Sequence, residues 1–332
     1  MKNNTSKNPS IREIARLSGA SPATVSRVLR GKGSGSAMSH SIFQAAESCG
    51  YFERNAGKRS ALIICLNGYD AENSDCAFML ERHLANSAPG FGFELKSVYC
   101  SESELGPLLA KHPADGLVII GEEDWTAPRN YSLPTVVTKA YTIDANVSSV
   151  NFDEVVGSVK MLQYLKGLGH RRIGFFADRA IAATDYSKPR RFMLPQIYAL
   201  AGLEYAPELI FAEDFPRYRH TSTVVSAVRH FLDAGVTAIF MIDDCYAPAF
   251  YEEIRARGLN IPNDISVVGY DDSRLSMLIS PHLTTVNHPY EQMAHETFHI
   301  LKERIANPAL PRVRVMVEPE VIIRDSAAPP KK

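Results

Sequence analysis

The stretch PSIREIARLSGASPATVSRVLRGKG, residues 9–33, decides the fold of the amino-terminal part of this chain. Apolar residues recur at helical spacing and then meet a glycine that ends the helix: Ile11, Ile14, Ala15, Leu17 and Gly19. A second helix follows at once, because Ser21 is a good N-cap and Pro22 suits the first helical position. Its inward side continues to a second glycine: Thr24, Val25, Val28, Leu29 and Gly31. Two short helices joined by a glycine-containing turn predict a helix-turn-helix.

The outer side of the second helix has a composition that suits a DNA major groove. It combines short side chains with two forked cations: Pro22, Ala23, Ser26, Arg27 and Arg30. Ser36 is positioned to cap a third helix that completes a small core with Ile42, Phe43, Ala46 and Tyr51. These features predict a DNA-binding head over residues 1–51.

Charge is divided unevenly along the chain. Residues 1–60 contain ten Lys/Arg and three Asp/Glu, whereas the 332-residue chain as a whole has a net charge of −1. A basic head on an acidic body indicates that the head meets a polyanion. Charge alone leaves a solvated basic tail as an equal alternative.

Composition places the chain among ordinary globular proteins of at least two folding units, with 45% hydrophobic and 22% charged residues. Five cysteines without a Cys-x-x-Cys pair indicate reduced thiols and argue against a disulfide framework or zinc ribbon. No apolar run is long enough to span a bilayer, and the beginning of the chain lacks a signal-peptide pattern. We therefore expect a cytoplasmic protein with no membrane partner.

The body after residue 60 alternates strand-like and helix-like segments. The strand-like runs are Ala61–Leu66, Gly116–Ile120, Thr135–Thr138, Arg172–Phe176, Ala238–Ile242 and Ile265–Tyr270, and the helical stretches include Glu154–Lys166, Ala247–Arg257 and Tyr290–Ile305. This alternation predicts an α/β fold with parallel sheets. Ligands of such sheets bind beyond the carboxyl ends of the strands, where the pairs Asp243-Asp244 and Asp271-Asp272 fall. Carboxylates there either accept hydrogen bonds from a ligand or cap the following helices.

The head resembles that of the lactose-repressor/galactose-repressor family of bacterial transcription regulators, both in residues 9–33 and in SIFQAAESCGY. Segments of the body resemble later signatures of the same family: VSSVNFDEVVGSVKMLQYLKGLGHRRIGFF, TAIFMIDDCYA, GLNIPNDISVVGYDDS and SPHLTTVNHPY. The resemblance implies a body like the periplasmic sugar-binding proteins, with two lobes around a cleft. It places the first lobe at about 61–151 and 286–313, the second at about 152–285 and 314–326, and chain crossovers near Phe152, Thr285 and Arg314. We expect residues 327–332 to form a disordered tail.

The helix pattern and the basic residues indicate which residues bind DNA, and the resemblance implies which residues bind an effector. Those expected at DNA are Ser21, Pro22, Ala23, Thr24, Ser26, Arg27, Arg30, Lys32, Lys58 and Arg59. Those expected at a small-molecule effector are Asp271, Asp244, Arg190 and Arg191, although RRFMLPQIY lacks the glycine that usually follows the effector-binding arginine. The two arginines are therefore equally compatible with plain surface charge.

Two further segments qualify the resemblance. HETFH, residues 295–299, satisfies a zinc-protease pattern, but the helix phase puts both histidines on the wetter side, and we expect neither a metal nor a cofactor. In the family the linker carries a short hinge helix, but the segment FERNAGKRSA is shorter than the family pattern by more than one helical turn and contains Gly57, so we predict an irregular basic linker over 52–60.

The sequence thus predicts a regulator, not an enzyme. It would be a homodimeric, effector-controlled repressor that binds a near-palindromic operator in double-stranded DNA. The alternative is a small-molecule-binding protein whose head has lost specific DNA binding.

Overall fold

The computed structural model describes residues 10–29, 37–49, 59–66, 74–100, 104–112, 114–121, 133–140, 147–178, 192–213 and 220–331. They form a helical head and two α/β lobes, each built on one six-stranded sheet. No helix in these ranges is long and apolar enough to cross a membrane.

The described part of the head contains three helices, α1 (Ile11–Ser18), α2 (Pro22–Leu29) and α3 (Ala37–Ser48). The Ser10 hydroxyl caps α1 by accepting from the Glu13 amide at 3.3 Å, and Gly19 ends it in the left-handed conformation with φ 70°. The core of the head contains buried side chains from all three helices: Ile14, Ala15, Val25, Val28, Ile42, Ala45 and Ala46. The predicted helix-turn-helix is therefore confirmed.

One residue of the predicted apolar face of α1 does not belong to this core. The Leu17 side chain is exposed. It lies three residues beyond Ile14, next to the last residue of α1. Phe43 belongs to α3, and the positions predicted at Ser36 and Tyr51 lie outside the described residues.

The first lobe is built on strands that are all parallel, in the order β11-β5-β4-β3-β1-β2. The strands are β1 (Arg59–Leu66), β2 (Phe93–Cys100), β3 (Gly116–Ile120), β4 (Thr135–Thr138), β5 (Val147–Phe152) and β11 (Arg314–Val317). The helices are α4 (Ser74–Ser87), α5 (Leu105–Lys111) and α11 (Tyr290–Ala306). Central strands β3, β4 and β5 are buried throughout, as strands covered on both faces must be.

The second lobe repeats this plan with strand order β12-β10-β9-β8-β6-β7. Its strands are β6 (Ile173–Asp178), β7 (Ile210–Glu213), β8 (Ala238–Met241), β9 (Ser266–Asp271), β10 (Thr284–Asn287) and β12 (Val321–Ile322). Its helices are α6 (Glu154–Leu168), α7 (Leu194–Ala201), α8 (His220–Asp233), α9 (Ala247–Ala256) and α10 (Leu275–Leu278). Only β12 runs antiparallel to its neighbour among these strands.

The chain passes between the lobes three times. Asp153 follows β5 and caps α6 by accepting from the Val156 amide at 2.9 Å. The second passage lies between the end of β10 at Asn287 and the start of α11 at Tyr290. The third lies between β11, which ends at Val317, and β12.

Three predicted boundaries differ from the structure. The segment Arg314–Val317 was expected in the second lobe, but it pairs with β5 in the first, because its edge position completes that sheet. Residues 286–287 were expected in the first lobe, but they complete β10. The tail is not disordered through 331, since the Ala328 carbonyl lies 2.9 Å from His170 Nε2 and accepts from the Ser266 hydroxyl at 3.1 Å.

The predicted linker also ends earlier than expected. Arg59 and Ser60 belong to β1, with Arg59 in register with Phe93 of β2, because the parallel ladder extends two residues beyond the apolar run. The Ser60 amide donates to Asp115 Oδ2 at 2.8 Å, which fixes this end of the strand. The rest of the linker, 52–58, lies outside the described residues.

Candidate functional site

The helix α2 is the candidate DNA-reading element, and its start is fixed by its own side chains. The Ser21 Oγ accepts from the Thr24 amide at 3.1 Å and lies 2.8 Å from the Thr24 hydroxyl. Because both hydroxyls take part in the N-cap, these two residues hold the helix end in place before any contact with DNA.

The outward side of α2 is available to a groove. Pro22, Ala23 and Arg27 are exposed, whereas Ser26 is half-buried. An arginine one helical turn beyond an alanine can reach a base edge while the small residue permits close approach. Of the other expected DNA contacts, Arg30, Lys32 and Lys58 lie outside the described residues, and the Arg59 backbone is part of the first-lobe sheet.

The second candidate site lies where the lobes meet at the carboxyl ends of their strands. Asp271 ends β9 with φ 107°, and Asp272 follows with φ 49°. Two consecutive non-glycine residues in the left-handed region are costly unless the surroundings hold them. Asp271 Oδ1 lies 2.9 Å from His288 Nε2, at the passage between the lobes, and only 11% of the Asp271 side chain is exposed.

Asp244 lies in the interior of the second lobe. Its side chain is fully buried and accepts two hydrogen bonds, from the Ser273 amide at 2.8 Å and from the Thr285 hydroxyl at 2.7 Å. Burial raises the pKa of Asp244 well above its ordinary value, and the negative charge of Asp271 raises it further. Asp244 therefore joins the segment after β9 to β10 from the inside, and its expected contact with the effector stays a prediction.

The neighbours of these two carboxylates are structural as well. Asp243 Oδ1 accepts from the Cys245 amide at 2.7 Å, which caps the short turn after β8. Asp272 Oδ1 pairs with Arg324 Nη2 at 2.5 Å. Asp271 contacts His288 at the lobe passage, and the negative charge of Asp243 also acts on Cys76 and Tyr290.

Three residues that sequence reasoning missed complete the cleft, namely Cys76, His288 and Tyr290. The Tyr290 hydroxyl lies 2.7 Å from His288 Nδ1, and the Phe152 ring stacks on the His288 ring with centroids 4.0 Å apart. His288 lay within the quoted family signature SPHLTTVNHPY, but nothing in the sequence connected it with Cys76.

The thiol of Cys76 lies in the same cluster, although part of the residue is exposed. Burial raises the pKa of Cys76 to about 12, Asp271 adds to the rise, and the Lys139 ammonium opposes it. Lys139 follows β4 and is itself buried with φ 52°. The cleft thus brings a cation and a thiol of the first lobe to a carboxylate of the second.

Comparison with known proteins shows which family has this combination of head and lobes. Residues 10–53 match the family "Bacterial regulatory proteins, lacI family", and residues 162–327 match the "Periplasmic binding protein-like domain". A regulator from Streptomyces limosus, an uncharacterized HTH-type protein, is 30% identical over 96% of this chain and 95% of its own length. The chain belongs to the LacI family of bacterial transcription regulators.

Other LacI-family proteins resemble the whole chain equally well. The regulator CelR of Thermobifida fusca is 28% identical over 96% of this chain and 98% of that protein. A solved structure of a CelR–cellobiose complex has a TM-score of 0.62 at 26% identity and covers 96% of this chain and 99% of its own. The LacI family consists of DNA-binding regulators and not enzymes, and a bacterial regulator meets its DNA in the cytoplasm.

The zinc-protease pattern has no catalytic arrangement in this LacI-family chain. The His295 side chain is exposed, lies 3.6 Å from Glu296 and packs edge-on against Phe91. The His299 side chain is also exposed and lies 3.8 Å from Glu303. The buried side of α11 is formed instead by Ala294, Phe298 and Leu301, as the helix phase predicts.

The two arginines expected at the effector lie outside the described residues. The structure resumes at Phe192, whose side chain is exposed, two residues before α7. The role of Arg190 and Arg191 at the effector stays a prediction.

Proposed function

We propose that this LacI-family regulator is a homodimeric repressor whose operator affinity is controlled by a sugar-like effector bound between the lobes. The observation that carries the effector site is the position of Asp271, at the carboxyl end of β9 and in contact with His288 at the lobe passage. A carboxylate accepts hydrogen bonds from several hydroxyl groups, which suits a polyhydroxylated ligand. The CelR–cellobiose complex supports this class of ligand.

The cleft site is divided between the two lobes, and this division allows an effector to control operator affinity. Lys139 and Cys76 belong to the first lobe, whereas Asp271 belongs to the second. A ligand that contacts both lobes binds one lobe arrangement more tightly and shifts the population toward it. The same differential affinity then couples the cleft to the spacing of the two heads.

The effector site is tested by thermal shift with a panel of oligosaccharides that begins with cellobiose. A ligand at about one hundred times its Kd stabilises the folded protein by roughly 2.7 kcal/mol, which gives a measurable rise in Tm. Asp271→Asn should abolish this rise and leave operator binding intact, whereas Asp325→Asn, an exposed carboxylate of the same lobe, should change neither. Equal ligand responses of wild type and Asp271→Asn would remove Asp271 from the site.

Sequence reading is assigned to α2. We expect Arg27→Ala to relax base preference at one position per half-site, since a bidentate arginine–guanine contact contributes about 1–3 kcal/mol of discrimination. Lys32→Ala and Lys58→Ala should weaken binding to all sequences alike and flatten the salt dependence, because phosphate contacts carry no base information. Selection from a random DNA pool measures both effects, and an unchanged preferred site in Arg27→Ala would contradict the placement of α2.

Dimerisation is supported by apolar side chains that both lobes leave exposed. Phe78 of α4 is 54% exposed. Glu81 follows one turn later on α4 and accepts a hydrogen bond from the Tyr99 hydroxyl of β2. Leu278 of α10, in the second lobe, is 78% exposed. A dimer would pair two heads, raise their effective concentration and require a near-palindromic operator.

Sedimentation equilibrium of a matched pair of variants tests the dimer. Leu278→Glu should shift the protein toward monomer at micromolar concentration. Leu200→Glu, on α7 of the same lobe and 62% exposed, should leave the dimer intact. The proposal that a dimer recognises the operator would be refuted if the wild-type protein sediments as a monomer and binds a single half-site tightly.

The predicted linker also has a consequence for the bending of the operator DNA. A segment as short as FERNAGKRSA, with Gly57 in its middle, does not support an isolated helix. We expect little operator bending, since the linker offers no apolar wedge beyond Phe52 to offset base unstacking. Circular-permutation gel shifts test this, and a strong bend lost in Phe52→Ala would contradict it.

A further inference from the structure

Three side chains in the cleft have the chemistry and the spacing of metal ligands. Cys76 Sγ, a carboxylate oxygen of Asp271 and a ring nitrogen of His288 all lie within 4.8 Å of one another. They come from α4, from the end of β9 and from the passage before α11, so they are far apart in sequence. Within the described part of the chain, no other three His, Cys, Asp or Glu side chains come this close.

We propose that this cluster binds a zinc ion, with Cys76, Asp271 and His288 as its three protein ligands. Sulfur, imidazole nitrogen and carboxylate oxygen are the ligand types that Zn²⁺ takes, at distances of about 2.0–2.3 Å. Two ligand atoms on one tetrahedral ion are therefore about 3.3–3.7 Å apart. Binding would therefore widen the 2.9 Å contact between His288 Nε2 and Asp271 Oδ1 and bring the Cys76 sulfur, which lies within 4.8 Å of both, to the same range.

The surroundings of His288 suit a metal-binding imidazole. When Nε2 binds the ion, Nδ1 carries the proton and donates to the Tyr290 hydroxyl, which already lies 2.7 Å away. The Phe152 ring, stacked at 4.0 Å, fixes the orientation of the imidazole. His288 is 98% buried as a side chain, so water competes little for this nitrogen.

Binding involves a defined exchange. The Cys76 thiol gives up its proton to solvent, and the sulfur electron pair forms the bond to Zn²⁺, while the carboxylate and the neutral imidazole bind without further loss of protons. Three protein ligands leave the fourth tetrahedral position for water or for an oxygen of a second molecule.

The site bridges the two lobes, which gives the ion a structural consequence. Cys76 moves with the first lobe and Asp271 with the second, so the ion binds only while the cleft is closed. Zinc should therefore favour the closed arrangement by mass action. This inference goes beyond the proposed sugar site and depends neither on sugar binding nor on DNA binding.

The HETFH segment does not supply this site. His295 and His299 lie on the exposed side of α11, outside the cluster. The sequence-based expectation of no metal considered only contiguous motifs, namely HETFH and Cys-x-x-Cys pairs, whereas the three cluster ligands are brought together only by the fold.

The test uses the full chain, freed of metal with a chelator and titrated with Co²⁺ and then Zn²⁺. Cobalt should produce a thiolate charge-transfer band and tetrahedral d–d bands that saturate at one ion per chain, and Zn²⁺ should displace it. Cys76→Ser and His288→Gln should each remove the band or weaken binding at least tenfold, since even loss of a supporting partner costs a metal site about 10–100-fold.

Matched controls separate this cluster from other donors. Cys49→Ser, a half-buried thiol in the head, and the double variant His295→Ala/His299→Ala should both keep the band. Circular dichroism confirms folding of each variant, and His288→Gln decides the outcome if Cys76→Ser does not fold. Absence of a 1:1 band in wild type, its persistence in His288→Gln, or its loss in the double variant would overturn the zinc site, whatever the sugar titrations show.

Discussion

Replacement of Asp244 by alanine should destabilise the second lobe strongly, although this residue was expected at the ligand. The carboxyl group is fully buried and accepts from the Ser273 amide and the Thr285 hydroxyl at 2.8 and 2.7 Å. Each buried donor left without an acceptor costs about 1–3 kcal/mol, so the pair costs about 2–6 kcal/mol. For a unit of this size, a loss of 3 kcal/mol lowers Tm by about 6–12 °C.

Asp244→Asn provides the informative comparison. Its amide oxygen still accepts from the Ser273 amide, and its NH₂ group donates to the Thr285 hydroxyl, which can reverse its direction. It also removes a buried charge close to Asp271, the arrangement that raises the pKa of Asp244. We therefore expect Asp244→Asn to retain nearly all of the wild-type stability.

Thermal melts and urea titrations followed by circular dichroism measure both variants. Asp243→Asn, which keeps an acceptor for the Cys245 amide, serves as the neighbouring control. If Asp244→Ala melts within about 1 °C of wild type, the reasoning from unsatisfied buried donors fails. If Asp244→Asn keeps its stability but loses the sugar response, Asp244 acts at the ligand after all.

Three further predictions concern stability and the head. Gly157→Ala should lower the unfolding free energy by about 1–3 kcal/mol in urea titrations, although alanine is the better helix former, because the added Cβ would overlap the buried Tyr270 hydroxyl oxygen. An unchanged urea midpoint would contradict this. Burial lowers the pKa of His170 below 6.5, so the unfolded chain binds the proton more readily, and stability should fall as pH decreases below 6.5. Urea midpoints at about pH 7.5 and 5.5 should show this loss in wild type and a smaller one in His170→Gln, with exposed His282→Gln behaving like wild type. Ser21→Ala should destabilise the amino-terminal end of α2 by about 0.5–2 kcal/mol and weaken binding to all operators alike in gel shifts. An altered base preference would instead indicate that Ser21 contacts a base directly.

The head was predictable because its determinants are local. Caps, glycine stops and the 3.6-residue period act within a few residues, so Ser21, Gly19 and the apolar positions identified α1 and α2 without knowledge of the rest. The buried strands β3 and β4 were equally plain, since continuous apolar runs are typical of central parallel strands. The edge strand β2 was missed because only its two end residues are buried, so that the strand carries little apolar signal.

By itself the sequence determined the fold class, the family and the position of Asp271 at the end of a strand, since each depends on a local pattern or a contiguous motif. Only the tertiary structure decided that Asp244 points into the interior and that Arg314–Val317 joins the first sheet. It also decided that Cys76 meets His288, because crossover connections bring residues from distant parts of the chain to one cleft. Local hydrogen bonds and periodicity specify elements, whereas the direction of a side chain and the partner of a strand depend on packing between elements that no short segment contains.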